Sequence, residues 1–214
     1  MELAADTLIQ AAFLALTLGI FLIIYNFPKK TLTKLRSNNR ASIQTNRHFL
    51  QGAHLLSRAR STRNKATSAT LADAALAEAD KALAIQPKNA AAHILRGLVL
   101  DFLGRRAAAL RSLDMALTTP AVKTLSEREK GDALVKRAEI QMAVNKRRRV
   151  DSAMTDLIEA VGLTRDNSKA YSLLGQCYEI KGVKDEEAVK AFSRALELDP
   201  LCDSARQGLA RLTS

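Results

Sequence analysis

Tryptophan is absent from this chain, and its other aromatics are few: three tyrosines and six phenylalanines in 214 residues. A sheet-based core draws on aromatic and β-branched side chains, so the composition favours closely packed helices, to which the abundant alanine is suited. Only five aromatics lie beyond residue 28, too few for a platform on which bases stack, and no nucleic-acid partner is expected. Cysteine is limited to Cys177 and Cys202, which form no CxxC pair and no metal-ligand spacing. They read as reduced thiols of a reducing compartment, with a single disulfide between them left open. The three histidines, His48, His54 and His93, form no HExxH arrangement, and the nine glycines are scattered rather than gathered in a phosphate loop. No nucleophile stands at a fixed spacing from a base. The chain therefore reads as a non-enzyme with no cofactor and no metal.

Acidic residues are missing from a whole segment. Residues 29–72 carry ten Lys or Arg and no Asp or Glu, whereas residues 73–214 carry 23 basic and 20 acidic residues. Most of the net charge of +11 thus sits in one stretch. Before it, residues 8–27 ("LIQAAFLALTLGIFLIIYNF") contain no charge at all. A helix of that length spans roughly 30 Å, the thickness of a bilayer's hydrocarbon core. Tyr25 and Phe27 lie where an interfacial aromatic belt would sit, Pro28 ends the run, and Lys29 and Lys30 follow. A cleaved signal peptide wants a basic start and a small-residue cleavage site, and a transit peptide wants arginines; neither is present. A buried core helix would show a polar face, and this one shows none. The sequence predicts an N-terminal transmembrane anchor over 1–28 and a basic juxtamembrane segment over 29–44. The cations hold the C-terminal side in the cytosol, so the short N-terminus is translocated. The same cations suit anionic lipid, at about 1 kcal/mol for each well-placed one, or serve only to set topology.

Beyond residue 40 apolar residues recur three and four apart, the signature of helix after helix. Four helices share one pattern. Ala188, Phe192 and Ala195 precede Pro200; Ala109, Leu113 and Ala116 precede Pro120; Ala75, Ala79 and Ala82 precede Pro87; Ala153, Leu157 and Ala160 precede "GLTRDN". Spacings of four and then three place each trio on one helical face. A partner helix comes before each trio and carries a small residue: Gly52, Gly97, Ala138 and, flanked by Tyr171 and Tyr178, Gly175. A small residue at a crossing lets two helices approach closely, and a bulky one a turn away fills the space beside it. Proline cannot continue a helix, so it separates one pair from the next.

This arrangement resembles the tetratricopeptide repeat (TPR) family, built from helix–turn–helix units of about 34 residues. The resemblance covers residues 45–201, in units at about 45–88, 90–121, 131–167 and 168–201. Residues 168–201 match best, with Tyr171, Leu174, Gly175, Tyr178, Ala188, Phe192, Ala195 and Pro200 in register. The first unit is expected to hold a long loop, "RSTRNKATSAT", and the third a loop lengthened by "NKRRRVD". Residues 202–214 read as a capping helix, with Leu201, Ala205, Leu209 and Leu212 on one face. The predicted fold is all-α: a TPR-like α-solenoid of about four helix pairs with a C-terminal cap, preceded by a transmembrane helix.

The resemblance implies protein–protein adaptor function, with the first helix of each pair lining a concave groove. Projected onto this sequence, the lining comprises Phe49, Ala53, Ile94, Leu98, Asp101, Phe102, Val135, Glu139, Lys169, Ser172 and Gln176, apolar early and polar late. Such a groove suits a peptide helix or an extended segment. TPR domains that clamp chaperone C-terminal carboxylates use Lys, Asn and Arg at matching places. Here those hold Phe49 and Ala53, then Leu95 or Leu98, then Lys136 or Leu173, so chaperone tails are doubtful partners. The basic run at 145–151 reads as a solvated turn, or as a contact for anionic lipid or an acidic partner. The layout is similar to that of mitochondrial outer-membrane import receptors, and the endoplasmic reticulum fits the same charges. Together these features read as a membrane-anchored adaptor or scaffold. The rivals are a permanent structural subunit or assembly factor of a membrane complex, and a soluble or nuclear RNA-associated TPR protein.

Overall fold

The computed structural model describes residues 16–17, 29–182 and 185–213. The chain divides into two units, Met1–Ile43 and Gln44–Ser214. The expected membrane span at 8–27 lies outside the described residues, apart from Leu16 and Thr17. No helix among the described residues is long and apolar enough to cross a membrane.

The described residues form eight α-helices and one 3₁₀ turn. They are α1 (Lys29–Ser61), α2 (Lys65–Ile85), α3 (Ala90–Phe102), α4 (Arg106–Leu117), the turn Ala121–Thr124, α5 (Glu127–Leu163), α6 (Ser168–Lys181), α7 (Asp185–Leu198) and α8 (Asp203–Thr213). The basic 29–44 segment is thus helical, continuous with the helix that opens the repeats. In the second unit successive helices pack on one another, α3 on α2 and α4, α6 on α5 and α7, α8 on α7. The leading helices of the pairs are α1, α3, the first half of α5, and α6. The trailing ones are α2, α4, the second half of α5, and α7.

Local chemistry sets the helix starts. Asn64, Asn89 and Asn167 sit just before α2, α3 and α6, and their side chains accept from the backbone N–H of Ala66, Ala92 and Ala170 at 2.9, 2.9 and 3.0 Å. Ser126 and Glu129 form a reciprocal capping box ahead of α5. Two expected loops are corrected here. "RSTRNKATSAT" is broken only across Thr62–Asn64, because Asn64 restarts the helix and Ser68 Oγ donates to the Ala59 carbonyl at 2.7 Å. "NKRRRVD" is helical except at Asn145 (φ −159°, ψ 97°), which accepts from Arg148 N–H at 3.0 Å and so caps the helix that follows. Lys and Arg are good helix formers, and a single capping residue suffices to turn the chain.

The core is built of alanine stripes and a few large side chains. Ala75, Ala79, Ala82, Ala109, Ala116, Ala138, Ala153, Ala160, Ala188 and Ala195 are wholly buried, as are Leu113, Leu157 and Phe192. Tyr171 and Tyr178 are only partly buried, against the Phe192 cluster. The small residues sit at crossings. A Cβ at Gly52 would lie 2.9 Å from Leu95 Cδ2, and one at Gly97 3.0 Å from Leu113 Cγ. At Gly175 it would lie 2.7 Å from the Phe192 ring, which also presses on Gly208 of the cap. Phe192 is thus held between two glycines of different helices. The cap buries Ala205 and packs Leu209 and Leu212 on this cluster, whereas Leu201, expected on the same face, is 81% exposed in the turn before it.

Arginines tie neighbouring pairs together. Arg96 on α3 donates to Asp80 of α2 (2.7 Å) and Ser112 of α4 (2.8 Å). Arg137 on α5 donates to Asp114 of α4 (3.0 Å) and, through two nitrogens, to Asp156 (2.8 and 2.6 Å). Both arginines stand immediately before the small crossing residue, and each spans two trailing helices. Burial disfavours the Arg137 guanidinium, but Asp156 and Asp114 outweigh it and raise its pKa.

Candidate functional site

Aligning the leading helices on Gly52, Gly97, Ala138 and Gly175 gives equivalent positions. Three residues earlier stand Phe49, Ile94, Val135 and Ser172; one residue later stand Ala53, Leu98, Glu139 and Gln176. Because each set occupies one helical face, it forms a row across the stacked helices. The rows change character along the stack.

At the front, α1, α3 and the start of α5 enclose a groove of about 420 Å³. Phe49, Ala53 and Leu56 come from α1, and Ala91, Ile94, Leu95 and Leu98 from α3. Leu125 and Ala133 complete an apolar floor, with Arg60, Glu129, Asp132 and Lys136 among the charged lining. Phe49, Ala53, Ile94 and Leu98 are half-buried and pack on the clusters beneath. The sequence projection named these four but missed Arg60, Leu125, Glu129 and Asp132. Arg60 and Asp132 continue the helical spacing and were legible by extending it. Leu125 lies in the irregular connection after the 3₁₀ turn, where no periodicity applies.

At the rear the first of these rows is closed. Val135 is 4% exposed, inside a core cluster with Leu134, Met142 and Leu174. Ser172 is 2% exposed and shares a 2.7 Å hydrogen bond with Ser204 of the cap. These two expected lining residues are corrected: a neighbouring element covers each, so neither faces an open groove. Asp101, Glu139 and Lys169 join through Lys136 instead. Lys136 Nζ lies 2.7 Å from Asp101 and 3.0 Å from Glu139, and Lys169 Nζ lies 2.8 Å from Glu139. Burial pushes the Glu139 carboxyl up, but Lys169 and Lys136 outweigh it and hold the pKa below the ordinary carboxylate value. Burial likewise opposes the Lys136 ammonium, and Asp101 with Glu139 more than offsets it, raising its pKa. Gln176 is half-buried and Phe102 exposed, neither part of the front groove.

Two of the histidines are held by hydrogen bonds, and His54 is exposed. His93 Nε2 lies 2.9 Å from the Pro87 carbonyl and His48 Nδ1 2.7 Å from the buried Glu78. Among the described residues no group of three or more His, Cys, Asp or Glu is placed to hold a metal ion. Both cysteines are free, and burial pushes the Cys177 thiol up to about 12.

No family model and no curated protein matches the sequence. Solved structures do match. MamA from residue 41 to its end, from Desulfovibrio magneticus RS-1, is similar at 17% identity and a TM-score of 0.62, covering 79% of this chain and 84% of that one. YrrB, described as a TPR protein with an unusual peptide-binding site, is similar at 22% identity and 0.56, covering 74% of each. The first TPR of Spaghetti (RPAP3), bound to the HSP90 peptide SRMEEVD, is similar at 23% identity and 0.50, covering 59% of this chain and 91% of that one. At these identities the likeness establishes the fold: an all-helical TPR-type solenoid.

Proposed function

We propose that this chain is a membrane-tethered adaptor that docks a peptide segment of a protein partner in the groove between its first three leading helices. One observation carries the reading. Equivalent positions that are buried or polar at the rear of the stack, Val135 with Ser172 and Glu139 with Gln176, present half-buried apolar side chains at the front, Phe49 with Ile94 and Ala53 with Leu98. Apolar side chains from a partner gain most where such a floor is already concave. YrrB and the RPAP3 domain, whose descriptions name peptide binding, support the class of activity.

The tether is supported by the charge-free run at 8–27 and the acid-free basic stretch that follows. In this reading the repeats face the cytosol, at the endoplasmic reticulum or the mitochondrial outer membrane, and the basic segment adds attraction to anionic lipid.

Three experiments test it. Alkaline carbonate should leave the full chain in the membrane pellet, and protease added to intact organelles should digest the repeats; extraction or protection would contradict the tether or its orientation. For the groove, Leu98→Glu and Ala91→Glu should each abolish partner co-migration in mild detergent while the melting temperature stays within a few degrees. Co-migration undiminished in both would exclude the groove. A partner lost only when the chain unfolds would favour the rival reading of a permanent structural subunit.

A further inference from the structure

The groove is electrically uneven along its length. Its walls are leading helices running in one direction, so its two mouths differ. The mouth at their N-terminal ends carries Glu129, with Asp132 a turn further on. Both acids are already engaged: Glu129 accepts from Ser126 N–H at 2.9 Å and Oγ at 2.7 Å, and Asp132 from Asn167 Nδ2 at 3.3 Å. The mouth at their C-terminal ends carries Arg60, exposed, one residue before α1 ends.

That second mouth opens onto the edge where leading helices turn into trailing ones. Arg63 stands in the first such turn and Arg147, Arg148 and Arg149 just after the third, all exposed. The acids beside the first three of these turns are taken by other cations. Asp73 meets Arg105 at 3.7 Å, Asp101 meets Lys136 at 2.7 Å, and Asp151 meets Lys181 at 2.5 Å. None of Arg60, Arg63, Arg147, Arg148 and Arg149 has an ion-pair partner among the described residues.

We infer that the docked segment is an amphipathic peptide with one acidic end, its apolar side chains in the groove and its carboxylates leaving past Arg60 over the arginine edge. This rests on the groove being the docking site. Entered the other way round, the same peptide would set its carboxylates against Glu129 and Asp132, so charge fixes direction as well as class. Exposed pairs of this kind add little affinity each, but they steer encounter and select orientation.

The test pans a phage-displayed library of random peptides, about four helical turns long, against the full chain in mild detergent. The inference expects enriched peptides with spaced apolar residues and carboxylates gathered at one end. Leu98→Glu should abolish their retention. Arg60→Glu should weaken a purified enriched peptide about five-fold at low salt, with the difference shrinking as salt is raised. Enriched peptides that are apolar without net acidity, lost in Leu98→Glu but indifferent to Arg60→Glu, would overturn the acidic class and leave the groove reading standing. No enrichment over an unrelated membrane-anchored control would remove the groove reading and this inference with it. Acidic peptides or a homopolymeric RNA bound equally well by Leu98→Glu would assign the edge to polyanions at large and overturn the inference.

Discussion

The front and rear of the stack are built from the same positions and behave differently. Counting from the small crossing residue, one row runs Phe49, Ile94, Val135, Ser172 and the next Ala53, Leu98, Glu139, Gln176. In the first two repeats these positions are apolar and half-buried, lining a groove. In the last two they are either buried, as Val135 and Ser172 are, or polar, as Glu139 and Gln176 are. The fold supplies the same slots throughout, and the side chain in each slot together with what packs over it decides which stay open. The rear slots serve cohesion, through the Lys136 charge ladder and the cap, and the front slots stay open.

Substitutions sharpen this contrast. The largest effect is expected at the rear. Phe192→Ala removes a wholly buried ring wedged between Gly175 and Gly208 and should cost about 3–5 kcal/mol. Gly175→Leu, which drives a side chain into that ring, should cost about 1–3 kcal/mol by overpacking. Denaturant titration checks both, and an unchanged midpoint for either would mean that α6 and α7 do not cross at Gly175. Arg137→Ala leaves Asp156 buried without its partner. Buried pairs cost about 3–5 kcal/mol to break, and since the Arg137 side chain is 20% exposed a value of about 2 kcal/mol is expected.

At the front the balance reverses. Leu98→Glu should weaken partner affinity at least about ten-fold, or ~1.4 kcal/mol, with a smaller change in melting temperature than Phe192→Ala, Gly175→Leu or Arg137→Ala; a larger one would erase the division. The smallest effect belongs to Glu139→Gln. Its carboxyl titrates below the ordinary value in the folded chain, so it stabilises above the unfolded pKa and that contribution fades as pH falls through the folded one. The variant should match the parent within about 1 kcal/mol at neutral pH, bind partner unchanged, and lose stability less steeply in acid. Identical acid profiles would show that the ladder contributes nothing. Independently, Cys177 should resist thiol reagents in the native state, since burial keeps it protonated.

Much of the fold was legible because helix crossings demand small residues at fixed spacing, and Gly97 with Leu113, or Gly175 with Phe192, carry that demand openly. The loops were less legible. A run such as Asn-Lys-Arg-Arg-Arg looks like a solvated turn, yet all but its asparagine are good helix formers. One residue of broken helix at Asn145 is enough to reverse the chain. The apolar half of the site was legible by projecting Phe49, Ile94 and Leu98 onto a face. Val135 and Ser172 occupy the same face, but what covers them is another segment of chain, which a single helix's pattern does not contain. The arginine staples escaped notice for the same reason: Arg96 and Arg137 declare their role only once Asp80, Ser112, Asp114 and Asp156 are brought beside them.

On the proposed function, a partner seats at the front of the stack and not at the rear. Photocrosslinking in native membranes, from a benzoylphenylalanine placed at position 98 and separately at position 176, tests it directly. One discrete adduct is expected from 98, abolished by Ala91→Glu, and none from 176. Equal labelling from both positions, or labelling from 176 alone, would contradict it.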